Sequence, residues 1–151
     1  MSDTHKSQIV IATLEEKIEQ LQSKVIELSA SSKSESAYQE SQLRFKTVFE
    51  SSRLGNKILD SDLKILEVNP ALVAMLGYDS KEDLIGNEIL QFAPADCHDH
   101  WKELQEQLWE RSTPSFSLES SLIRKDGKFI WCRVTSILFL DQGNTLGYTI
   151  L

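Results

Sequence analysis

Val68-Asn69-Pro70-Ala71-Leu72-Val73-Ala74-Met75-Leu76-Gly77-Tyr78 is the stretch on which the fold turns. A β-branched residue leads into Asn69, whose side-chain oxygen can accept from the free amides of a helix start, and Pro70 takes the first turn, where no N–H is needed. The run predicts a strand ending at Val68, a helix over Pro70–Leu76 and a stop at Gly77, which reaches positive φ without a Cβ penalty.

Just upstream, the apolar pair Ile58-Leu59 and the run 63–68 flank Asp60-Ser61-Asp62, which reads as a tight hairpin between the first two strands. Downstream, Ser80-Lys81-Glu82-Asp83 has the spacing of a capping box for a short turn closed by Gly86. Over 94–111 the positions Cys97, Trp101, Leu104 and Leu108 mark one face of a longer helix. Phe116, Leu118 and Leu122 then alternate with polar residues. Lys125-Asp126-Gly127-Lys128 precedes the apolar run 129–140, so two long strands pair through a glycine turn. Asp141-Gln142-Gly143-Asn144 turns into a last strand over 145–151. The order is helix, two strands, several short helices, three strands, an α+β arrangement.

Toward the N-terminus, Ile11, Leu14, Ile18, Leu21, Val25 and Leu28 fall at a and d of three heptads. β-branched residues hold every a position and Leu every d position, which favours a parallel two-stranded coiled coil and hence a homodimer. The alternative is an amphipathic helix folded back on its own domain. Five serines among residues 29–36 break the stripe and predict a linker or frayed helix. Tyr38, Leu43, Phe45, Val48 and Phe49 then form a second short helix ending at Ser51-Ser52. The expected division is 1–36 for coil and linker and 37–151 for the globular domain.

Composition narrows the function. With 151 residues there is room for one domain and an appendage, and 16 Lys plus Arg against 23 Asp plus Glu give a net charge of -7, a poor match to nucleic acid. The longest apolar run, 71–76, is far below the roughly 20 residues that span a bilayer, and no signal-peptide layout opens the chain, so no membrane contact is expected of this segment. Two cysteines, Cys97 and Cys132, make no disulfide framework, in keeping with a cytoplasmic location.

In their order and spacing, several of these motifs resemble a PAS domain, the small sensor module of bacterial signalling proteins. The resemblance covers about 38–151. It rests on Phe45-Lys46-Thr47-Val48-Phe49-Glu50-Ser51-Ser52, Val68-Asn69-Pro70-Ala71, Leu76-Gly77-Tyr78 with Asp83-Leu84-Ile85-Gly86, Arg124-Lys125-Asp126-Gly127-Lys128 before Trp131, and the hairpin from Gly143 to Gly147. It implies a five-stranded antiparallel sheet with short helices on one face, preceded here by the coiled-coil helix. It also implies an output domain beyond Leu151, most often a histidine kinase, with a diguanylate cyclase or chemoreceptor as alternatives. No phosphoacceptor histidine box or ATP-binding glycine motif is present, so catalysis is not expected of this chain.

In such domains the ligand lies between sheet and helices, and the candidate liners are Phe92, Trp101, Phe116, Leu118 and Trp131; the alternative is that these large side chains simply fill the core. Cofactors are left open. The stretch 86–91 lacks the cysteine that flavin photochemistry needs, which leaves only a noncovalent flavin. His98 is the nearest match to the axial ligand of haem-binding relatives, although it flanks the buried stripe of its helix. Cys97 and His100 at i, i+3 could share zinc, but a closed site needs four ligands and no second pair exists. The expectation is a sensory and dimerisation module, with a cofactor-binding sensor or a ligandless assembly domain as alternatives.

Overall fold

The computed structural model describes residues 3–151, with side chains from Gln8 onward. Two compact units are present, one ending at Lys46 and one spanning 47–151.

The first element, α1 (Asp3–Ser51), is a single 49-residue helix. The serine-rich stretch 29–36 is therefore neither a linker nor a frayed end, and the second short helix expected from Tyr38 is the continuation of the first. Serine is a middling helix former whose hydroxyl can return to its own backbone, as Ser29 Oγ does to Ile26 O at 2.9 Å. Beyond it, Gln39 donates to Glu35 at 3.1 Å and Arg44 pairs with Glu40, both one turn apart. Once helix is nucleated on both sides, a polar segment propagates it. All six heptad residues are between 53% and 65% exposed.

In the second unit, β1 (Asn56–Leu59) and β2 (Ile65–Val68) form the expected hairpin. Asp60 Oδ1 accepts from the amides of Asp62 and Lys64, both at 2.9 Å, which closes the turn. Next comes α2 (Pro70–Leu76), capped by Asn69 and ended by Gly77 at φ 75°. The capping box at Ser80 does not form: its hydroxyl donates to the Glu82 carboxylate, and the segment is one short 3-10 turn, Lys81–Asp83. Two further 3-10 turns, Ile89–Phe92 and Ala95–Cys97, precede α3 (His98–Trp109), so the helix expected from residue 94 begins at His98. The chain closes with β3 (Ser115–Ile123), β4 (Phe129–Asp141) and β5 (Asn144–Ile150).

The five strands make one antiparallel sheet in the order β2-β1-β5-β4-β3. Its inner face meets α2, the 3-10 turns and α3 in a core that includes Ile65, Leu72, Leu84, Ile89, Trp101 and Leu122. On the outer face Phe49, from the last turn of α1, lies 6.3 Å from Tyr148 of β5, and Ile58 beside Tyr148 is also buried. Both sides of β1 are thus covered, which is why all four of its residues are buried.

Candidate ligand site

Register and side-chain alternation fix what faces the interior. Val68, Lys57, Thr149 and Ser136 stand opposite one another across β2, β1, β5 and β4, and Phe116 of β3 completes the row. One row along, Val134 pairs with Leu118, and beyond that Cys132 pairs with Ser120. Trp101 of α3 covers this region: its Nε1 donates to Ser120 Oγ at 3.3 Å and its ring centroid is 5.7 Å from Lys57 Nζ.

The polar groups here are nearly all committed. Ser136 and Thr149 share a hydroxyl hydrogen bond of 2.8 Å, and the Cys132 thiol donates to Ser120 O at 3.4 Å. The exception is Lys57. It is fully buried, and among the described residues its Nζ has no hydrogen-bond partner. Burial drives its pKa from 10.5 down to about 7, with a smaller opposing pull from the Cys132 thiol. Burial pushes that thiol above its usual range in turn, and the lysine acts against it.

The expected liners divide between the faces. Phe92, Trp101 and Phe116 are buried, and Leu118 is half-buried against the same core. Phe92 stacks edge-on to Tyr78 at 5.8 Å. Trp131 does not line the interior: with Ile130, Cys132 and Val134 turned inward, its neighbours in phase lie on the outer face, where it is 73% exposed. Strand 129–140 is apolar in both phases, so its composition carried no signal for which side Trp131 would take. Lys57 was the residue missed. The signal that could have found it is period two from Leu59, which puts Lys57 on the inner face.

The histidines do not fit a haem. His98 Nε2 lies 3.0 Å from Ala93 O, so the nitrogen that would meet an iron is already engaged with the backbone, and His100 is exposed. Among the described residues no cluster of three or more His, Cys, Asp or Glu side chains could hold a metal ion. A separate open groove of about 340 Å³ runs between Arg111, Thr113 and Pro114 and the β4–β5 hairpin. None of the expected liners borders it. Among the described residues no helix is long and apolar enough to cross a membrane.

The profile of the family described as "PAS domain" matches residues 56–151. A curated relative, the sensor histidine kinase TmoS of Ectopseudomonas mendocina, is 30% identical over 95 residues, which are 63% of this chain and 10% of that protein's length. Among solved structures, the PAS domain of an HTR-like protein from Haloarcula marismortui superposes with a TM-score of 0.65 at 25% identity, over 78% of this chain and 95% of that one. A domain of a sensory box sensor histidine kinase/response regulator from Geobacter sulfurreducens gives 0.59 at 19% identity, over 72% and 92%.

Proposed function

The chain belongs to the PAS domain family, and from that premise we propose that it is the sensing and dimerising segment of a cytoplasmic sensor histidine kinase. Two copies pair in parallel through Ile11, Leu14, Ile18, Leu21, Val25 and Leu28. The observation that carries this reading is the unbroken α1, in which the helix that bears the heptads continues through the serine stretch to Ser51. Its last turn is tied to the sensory domain: Asn69 Nδ2 donates to Phe49 O at 3.0 Å, and the Phe49 ring packs near Tyr148.

Six apolar side chains left more than half exposed in one stripe favour pairing, since each gains by leaving water. A ligand or partner that prefers one arrangement of the sensory domain shifts the population by its differential affinity, and a continuous helix can carry that bias to an attached domain. That the matched curated relative is a sensor histidine kinase supports the same class of receptor, with phosphoryl transfer residing in another domain.

Self-crosslinking tests the pairing. In a background with Cys97→Ala and Cys132→Ala, Leu28→Cys should form disulfide-linked dimers at least about tenfold faster than Ser23→Cys, which sits opposite the seam. Equal rates at the two positions, or no crosslinking at Leu28→Cys, would remove the parallel coil.

A further inference from the structure

We propose that the inner face of the sheet binds a small organic acid, its carboxylate paired with Lys57 Nζ and its apolar body lying against Trp101, Leu118 and Val134. The inference rests on the sensory reading above and names the ligand class of that site.

A lysine with no exposed surface needs an acceptor, and among the described residues it has none. Thr149 and Ser136 spend their hydroxyls on each other, Ser120 Oγ takes Trp101 Nε1, and Cys132 donates to Ser120 O. Each polar neighbour is engaged while Nζ has no hydrogen-bond partner among the described residues. Stranding an amine in this way is costly, and a charge-assisted hydrogen bond from an incoming anion removes the cost. The Trp101 ring already holds the amine from one side at 5.7 Å and offers an aromatic wall beside it.

The charge count favours a monoanion. Among the described residues the Cys132 thiol is the ionisable neighbour that acts on Lys57 and no second basic group does, so a doubly charged phosphate would leave a buried charge uncompensated. Val134, Leu118 and Trp101 give the remaining wall an apolar character suited to a hydrocarbon body. Leu118, Ile130 and Cys132, which point to the same side of the sheet, are only half-buried.

The test uses the full chain with acetate, butyrate and benzoate as probes and benzyl alcohol as the neutral counterpart of benzoate. Binding is followed by NMR of the lysine side chains. At least one acid should bind saturably and raise the titration midpoint of Lys57, with affinity falling about tenfold per pH unit above roughly pH 7 as the amine loses its proton. Lys57→Met, checked for folding by thermal melting, should lose at least about tenfold in affinity for that acid and none for benzyl alcohol. The proposal is overturned if no acid binds below about 10 mM, if Lys57→Met binds the acid as the parent does, or if benzyl alcohol binds the parent as tightly as benzoate. Crosslinking at Leu28→Cys is read separately, so lost acid binding with intact crosslinking refutes the ligand class alone, and the reverse refutes the coil alone.

Discussion

Asn69→Ala is expected to lower the unfolding free energy by about 3 kcal/mol. The side chain is fully buried and uses both of its polar atoms. Its Oδ1 accepts from Leu72 N at 3.0 Å, capping α2, and from Asn56 N at 2.8 Å at the start of β1. Its Nδ2 donates to Phe49 O at 3.0 Å and to Leu54 O at 2.9 Å. Loss of a cap alone costs about 1 kcal/mol, and leaving buried partners unsatisfied costs about 1–3 kcal/mol more. The same residue joins the last turn of α1 to the sheet, so the variant should also loosen that connection. Urea unfolding followed by circular dichroism measures the change, and a loss below about 1 kcal/mol would contradict this account of the junction.

Lys57→Met is expected to act in the opposite direction, and to do so in a pH-dependent way. The folded chain releases the Lys57 proton at about pH 7, whereas the unfolded chain keeps it to 10.5. Across that window the unfolded state binds more protons, so stability conferred through this group rises with pH and is least below pH 7. Between about pH 7 and pH 8.5 the parent should gain about 2 kcal/mol that Lys57→Met does not show, because methionine has nothing to titrate. Below pH 7 the variant should be the more stable, since it fills the same space without a stranded charge. Cys132 and Tyr148 do not blur the comparison, as burial raises both above their usual ranges. Parallel stability profiles for the two proteins would show that the amine is not buried as described.

What the sequence disclosed follows the range of the interaction responsible. Asn69-Pro70 and Gly77 act on their own neighbours, so the bounds of α2 could be read directly from residue types. The hairpins were legible for the same reason, through Asp60 and Gly127. Residues 29–36 misled because serine is a weak local signal, and the helix there is maintained by the segments on either side. Strand faces were harder. β1 is covered on both sides, by Trp101 within and by Phe49 and Tyr148 without, so no polar phase marks its exposed side. β4 has apolar residues in both phases, and the phase of Trp131 is set only by its pairing with β3 and β5. The candidate site was therefore half visible: its aromatic members Phe92, Trp101 and Phe116 stood out as large apolar side chains, while Lys57 became notable only once register placed it inside.

Pairing of two chains through α1 is the claim on which the proposed coupling depends. Sedimentation equilibrium of the 151-residue chain at about 10 µM measures it directly. A species of twice 17.2 kDa is expected, falling to 17.2 kDa in Leu21→Asp, where a charge enters the middle of the seam while the sensory domain keeps its fold. A monomeric parent chain, or a dimer indifferent to Leu21→Asp, would contradict it.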